Sequence, residues 1–210
     1  MGLRSAFDLM LAKDSPLSQI DQLVWQSLIA GASSKRHPWN EGFFSTVALD
    51  AVGNPHPRTR TVILRRADRQ SLTIDFHTDF RSSKVSEVEN QFVCWMFYSH
   101  ATKMQLRLEG TARIVDGFEA DQAWSGTSIR SRSAYLSTES PGKIVEDALP
   151  PDTSDRVASQ SESERGRSHF RIVRTLVNRV DWLYLKREGH RRARIVYQDG
   201  AAVDCHWVIP

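Results

Sequence analysis

The chain has 210 residues, 40% hydrophobic and 25% charged, which are the values of a folded globular protein and exclude a disordered one. A net charge of +3 and an isoelectric point near 9.0 suit a phosphorylated small molecule, but they fall short of the concentrated basic stripe of a nucleic-acid protein. No apolar run approaches the ~18 residues of a membrane span, Cys94 and Cys205 make no CxxC or disulfide framework, and no secretory signal is visible, so a reduced, cytoplasmic setting is expected.

Residues 1–14 read as a short helical arm or a frayed end. Ser15 can cap a helix with Pro16 in its first position, and Leu17, Ile20, Val24 and Leu28 recur at helical spacing up to Gly31. This predicts an amphipathic helix over about 16–31, packed outside a sheet. Residues 32–41 are loop. Phe43 to Ala51 reads as a strand with Phe43, Val47 and Leu49 on its apolar face, and Gly53-Asn54-Pro55 is turn punctuation. Thr59 to Arg66 is the returning arm of a hairpin, and Leu72 to Thr78 is a third strand.

Asp79-Phe80-Arg81 breaks that strand, and Ser82 or Ser83 caps a helix over about 83–90. Phe92 to Tyr98 and Gln105 to Val115 are two further strands. Five strands joined by short links favour an antiparallel meander or barrel over a parallel α/β sheet. Phe118 to Trp124 and Ser128 to Leu136 read as helical. The polar stretch 137–168, with Pro141, Pro150 and Pro151, reads as an exposed connector, or alternatively as a lid. From His169 the strand pattern resumes in HFRIVRTLV, VDWLYLK, RRARIVY and AVDCHWVIP. The expected organisation is one domain: a helix at 16–31, a barrel core at 43–116, a helical and loop segment at 117–168, and terminal strands at 169–210.

Three polar points stand at the joints of the core. Arginines in Arg58-Thr59-Arg60-Thr61-Val62-Ile63-Leu64-Arg65-Arg66 offer planar donor forks suited to phosphate, although a strand arginine run is also a common solvated edge. Alternation puts Arg58 and Arg60 on one face and Arg65 on the other. In Thr78-Asp79-Phe80-Arg81-Ser82-Ser83-Lys84 a strand runs into a hydroxyl-bearing helix start with a lysine, where unpaired N–H groups favour anions. Gln105 can donate to a carbonyl or accept from an imide N–H. No GxGxxG or P-loop is present, which disfavours an NAD or ATP fold. Histidines and carboxylates show no metal spacing.

PHPRTRTVILR, DFHTDFRSSKVSEVENQ and MQLRLEG, in this order and at these gaps over about 43–116, resemble the pyridoxamine 5′-phosphate oxidase family of FMN-binding split barrels. The resemblance implies a mainly β (α+β) fold, a six-stranded antiparallel split barrel with flanking helices, and a homodimer with FMN at the subunit interface. It implies that Arg60 and Lys84 hold the FMN phosphate with Ser83 beside them. The backbone of Val62, Ile63 and Leu64 would line the ring, with Arg65 near flavin and substrate, His77 and Thr78 as a contacting pair, and Gln105 reaching the ring. Glu139 and Ser140 would come from the second subunit, and Arg194 would stand near the end of the site.

The family pattern breaks in two places. The R-x-H-x-R that grips pyridoxal phosphate is here His190-Arg191-Arg192-Ala193-Arg194, and the family tryptophan over the site falls at Leu183, beside Trp182. The substrate-phosphate pocket has only Arg130 and Arg132 as candidates. The expected function is therefore flavin-mediated hydride transfer on an undefined small substrate, with little activity on pyridoxamine 5′-phosphate. The alternative is a non-catalytic flavin or small-ligand binding protein. No catalytic base is identifiable. His77, His100 and His190 qualify by residue type alone.

Overall fold

The computed structural model describes residues 16–146, 159–185, 187 and 189–210. The arm at 1–14, the Ser15 cap and part of the 137–168 segment lie outside the described residues.

Helix α1 spans Leu17–Ser33, with Pro16 rather than a serine in the capping position. It runs on past Gly31, contrary to the expected stop. A side chain at Gly31 would lie 2.7 Å from the Trp39 carbonyl oxygen, so this glycine serves close packing, not termination. Ile20, Val24 and Leu28 are fully buried, as their spacing predicts. One end of α1 is pinned by polar contacts. Trp25 Nε1 donates to the Tyr197 hydroxyl at 3.0 Å, that hydroxyl donates to Asp21, and Arg69 Nη2 bridges to Asp21 at 2.8 Å.

The strands are β1 (Glu41–Leu49), β2 (Pro55–Ile63), β3 (Arg66–Asp68), β4 (Thr73–Asp79), β5 (Gln91–Ser99), β6 (Met104–Val115), β7 (Phe170–Tyr184), β8 (Arg191–Gln198) and β9 (Ala201–Val208). Short helices α2 (Lys84–Val88), α3 (Phe118–Ser125), α4 (Ile129–Arg132) and α5 (Gln160–Glu164) fill the links. Every pairing is antiparallel. The order is β2-β1-β5-β6-β7-β4-β3, with β8 and β9 added beside β7. Among the described residues the sheet thus numbers nine strands, not six. Two features account for the excess. The returning hairpin arm breaks at Leu64-Arg65 into β2 and β3, and β8 with β9 extends the sheet outside the ring. At the break, Leu64 N–H donates to the Asn40 carbonyl and Arg65 N–H to that of Asp75, both at 2.8 Å, so the arm leaves β1 and joins β4. That transfer closes the barrel.

The expected inward face of β1 is inverted. Phe44 and Ala48 are buried, whereas Phe43, Val47 and Leu49 are 43%, 56% and 67% exposed. Both faces of this strand carry apolar residues, so alternation alone could not choose between them. Inside the barrel Phe44, Phe76, Trp95 and Phe97 pack with ring centroids 4.8–5.7 Å apart. The two strands expected from HFRIVRTLV and VDWLYLK are one 15-residue strand, β7. Its register against β6 shifts at Glu109/Gly110, where a Cβ on Gly110 would lie 2.0 Å from the Leu176 carbonyl oxygen.

Candidate functional site

The bend that separates β2 from β3 lies beside the C-terminal end of β4 and the start of α2. A cavity of about 230 Å³ forms there, and Val62, Ile63, Arg65, His77, Thr78 and Lys84 line it. Six of the sequence-predicted site residues are thus brought together by one bend and one strand end. Tyr135 lines the same cavity from the 3-10 turn Ser133–Tyr135. Sequence reading passed over Tyr135 because it lies in a weakly patterned stretch. Of its aromatic partners, Trp124 at 5.7 Å is 11 residues back, and Phe170 at 5.3 Å is 35 residues ahead on a separate strand.

Lys84 is one of the cavity's two cations, with Arg65. Its Nζ donates to Ser82 Oγ at 2.6 Å and to Thr78 Oγ1 at 3.2 Å. Burial, then the nearby Arg60 charge, lowers its pKa, so the ammonium is short of compensating anion. Ser82 is the serine that turns inward; Ser83 is exposed in α-helical conformation and makes no side-chain cap. The helix is also shorter than the expected 83–90. Adjacent hydroxyls cannot be distinguished from sequence when the turn direction is unknown.

Arg60 stands behind Lys84, outside the cavity lining. Its Nη1 donates to Thr46 Oγ1 at 2.6 Å and its Nη2 to Glu87 Oε2 at 2.7 Å, while Arg58 takes the other Glu87 oxygen at 2.9 Å. Burial raises the Glu87 pKa, but the bonds from Thr46 and the arginines outweigh it and hold the carboxyl below its usual range. Glu87 was not expected at the site. Its position three residues after Lys84, on a helix start facing an arginine strand, was the available signal.

His77 is largely buried and packs edge-on against Phe170 at 4.6 Å. Burial, reinforced by the Arg65 charge, lowers its pKa from 6.5 to about 4, so its ring is neutral at physiological pH. Burial pushes Tyr135 up to about 12, which keeps the phenol protonated.

The other expected residues lie elsewhere. Leu64 is fully buried in the barrel core. Gln105 lies on the outer face of β6, with Arg107 and Glu109 and opposite Tyr98 and Leu183. On β7 it pairs with Leu183, whereas the cavity's His77 pairs with Ile172, eleven residues away along the same strand. Arg194, on β8, sits 3.7 Å from Asp181 and leaves its Nε buried without a hydrogen-bond partner. Glu139 and Ser140 line neither this cavity nor its neighbour, and Glu139 pairs with Lys143. Trp182 points into the core, fully buried. Arg132 is not available as a substrate-pocket cation. It is 4% exposed, donates to the Trp124 and Thr127 carbonyls at 2.8 and 2.9 Å, and is paired with Glu164.

A second cavity of about 670 Å³ adjoins the first, and Arg65 and His77 line both. Lys35, Asp75, Glu119 and Arg174 add charge to it, and Thr127, Ser128 and Ser131 add hydroxyls.

The residues present fit FMN in kind. A desolvated lysine flanked by hydroxyls suits a phosphate, and the Val62-Ile63 strand end beside a neutral imidazole suits a ring. At about 230 Å³ the smaller cavity alone falls below the usual small-molecule range, whereas the pair falls within it.

Residues 22–116 match the family described as pyridoxamine 5′-phosphate oxidase, FMN-binding domain. A relative in Arabidopsis thaliana, pyridoxine/pyridoxamine 5′-phosphate oxidase 2, is 32% identical over 124 residues. That match spans 53% of this chain and 61% of the relative. Among solved structures, a pyridoxamine 5′-phosphate oxidase-related, FMN-binding protein from Nostoc punctiforme superposes with a TM-score of 0.65 at 19% identity, covering 90% of this chain and 96% of that one. PhzG from Burkholderia lata, solved with tetrahydrophenazine-1-carboxylic acid, gives 0.66 at 19% identity, covering 98% and 96%. At these identities the structures establish the split-barrel fold, and the family match adds the cofactor. Over residues 22–116 this chain is thus similar to the FMN-binding domain of the pyridoxamine 5′-phosphate oxidase family, and its fold is that of the split-barrel proteins.

Proposed function

We propose that the protein is an FMN-dependent oxidoreductase acting on a small molecule as a cytoplasmic homodimer. The observation that carries this reading is the convergence of Val62, Ile63, Arg65, His77, Thr78 and Lys84 on one cavity. Bound FMN supplies two-electron chemistry at its ring. Lys84, with Ser82 and Thr78, binds the phosphate, and the Glu87-anchored Arg60 adds positive potential behind it. The Val62-Ile63 backbone and the neutral His77 orient the ring. Phe170 packs on His77, and Tyr135 packs on Phe170 at the cavity wall.

A dimer is supported by the separation of Gln105 and Arg194 from this cavity within one chain. A ring that met both groups would take the second from another protomer. The outer face offers an apolar surface for that contact: Phe43, Met96 and Tyr98 on adjacent strands, with Val47 and Leu49 further along. Among the described residues no helix is long and apolar enough to cross a membrane.

A second reading, flavin binding without turnover, is favoured by the C-terminal strands. Arg192 donates twice to Asp181, at 2.9 and 2.8 Å, instead of standing free for a substrate phosphate. We expect little activity with pyridoxamine 5′-phosphate for the same reason. Purified protein should carry a flavin absorbance band or acquire it from added FMN; colourless protein that takes up none would refute both readings. Anaerobic reduction of the bound flavin by a defined small molecule, with turnover on reoxidation, separates the enzyme from the binder. Sedimentation of the FMN-loaded protein as a monomer would refute the shared site.

A further inference from the structure

The loop that leaves β4 is tied to two other segments through three consecutive residues. Asp79, at the end of β4, is 8% exposed. Its carboxylate accepts the Arg81 backbone N–H at 2.8 Å, Arg81 Nε at 3.0 Å and Arg81 Nη2 at 2.6 Å. Arg81 Nη1 reaches across and donates to the carbonyls of Ser137 at 3.0 Å and Thr138 at 3.4 Å. All three guanidinium nitrogens are thus engaged. The Phe80 N–H donates to the His169 carbonyl at 2.8 Å, and His169 Nδ1 donates to the Tyr135 carbonyl at 3.0 Å. The loop 79–84, the turn Ser133–Tyr135 with the residues after it, and the turn Arg165–His169 therefore meet in one junction. Arg81 lines neither cavity, yet both of its attachments lead to the smaller one. One residue after Arg81, Ser82 accepts from Lys84 at 2.6 Å, and two residues before Ser137, Tyr135 forms the cavity wall. The Asp79–Arg81 pair sums to no net charge, so what it supplies is geometry.

We propose that Arg81 is a positioning residue that clasps the Lys84 loop to the Tyr135 turn and so holds the smaller cavity at one width before FMN binds. This rests on the FMN reading above. The planar guanidinium suits the task, because one rigid group holds a carboxylate on one edge and carbonyls on the other. A lysine has the charge but a single nitrogen, and cannot hold both. Without the clasp, Lys84 and Tyr135 are placed by separate segments, and FMN must order them as it binds, at a cost in affinity. That cost is independent of salt, whereas a direct contact to the phosphate is screened by ions.

The double variant Asp79→Asn with Arg81→Gln removes the clasp without changing net charge, and Arg81→Lys keeps the charge on one nitrogen. Either decides the test if the other fails to fold. FMN affinity is measured by fluorescence titration at about 0.05 M and about 0.5 M salt. The variants should bind FMN about tenfold more weakly than wild type at both salt concentrations, the scale of one lost charge-assisted contact. Lys84→Ala, by contrast, should lose affinity mainly at low salt. At saturating FMN the visible circular dichroism of the flavin should also differ from wild type, because Tyr135 is no longer held to the Lys84 loop. Tyr197→Phe, which loosens α1 instead, should leave FMN affinity and dichroism unchanged. Affinity within about twofold of wild type, a loss confined to low salt, or wild-type dichroism at saturation each overturns the proposal alone. Failure of both variants to fold overturns it too, by assigning Arg81 to folding instead. Wild-type protein that takes up no FMN overturns the flavin reading and this one with it.

Discussion

His77 should make the fold sensitive to mild acid, and replacing it with asparagine should remove that sensitivity. Its folded pKa of about 4 lies below the 6.5 of the free side chain because the ring is buried and faces the Arg65 charge. Between these two values the unfolded chain holds a proton that the folded protein does not, so stability falls as pH falls through this window. A gap of about 2.5 units corresponds to about 3 kcal/mol when complete, and about 2 kcal/mol of it is lost by about pH 5. Asp79, Glu87 and Asp181 are all held below their usual pKa and add to the loss as pH falls below about 5, but they are common to both proteins and cancel in the difference. His37 is also lowered, by burial, but it is common to both proteins and cancels in the difference. The assay is urea unfolding of flavin-free protein, followed by tryptophan fluorescence from about pH 7 to about pH 4.5. Wild type should lose about 2 kcal/mol more than His77→Asn over this range. Parallel curves for the two proteins would refute the argument that a neutral imidazole is enforced at this position.

Lys84→Ala should weaken FMN by about 1–3 kcal/mol in a fluorescence titration with little change in melting temperature, since it removes a charge-assisted contact without breaking an ion pair. Arg60→Ala should lose about 1–3 kcal/mol of fold stability, because it leaves the buried Glu87 with Arg58 as its remaining ionic partner. Equal melting temperatures for these two variants would show that the Glu87 network is not structural. Gly110→Ala should cost about 3 kcal/mol in urea unfolding, because its methyl would meet a backbone oxygen that cannot swing away. Tyr197→Phe should cost about 1–2 kcal/mol by removing the hydroxyl that joins Trp25 to Asp21. No loss on thermal melting would show that α1 is held by its apolar face alone.

The sequence alone determined most of the local order. Helical spacing from Leu17 to Leu28, the turn at Gly53-Asn54-Pro55 and the short-linked strands up to Val115 are patterns within a few residues of each other, and local patterns need no knowledge of the partner. The linked segments around Arg60, Lys84 and Gln105 likewise carried the resemblance to an FMN-binding family. Their role as a site depended on pairing across long intervals. Only the tertiary structure inverted the face of β1, since both of its faces are apolar and the barrel interior chooses one. It also divided the hairpin arm at Leu64-Arg65, because a strand that transfers from β1 to β4 must break its ladder, and that break creates the cavity. It tied Arg60 to Glu87, buried Arg132 against backbone carbonyls, and turned Ser82 rather than Ser83 toward Lys84. It brought Arg65, His77 and Tyr135 together from β-arm, strand and 3-10 turn. Charge compensation follows the same rule. Which arginines are spent depends on carboxylates distant in sequence, so the pairing of Arg174 with Asp75 could be recognised only once the chain was folded.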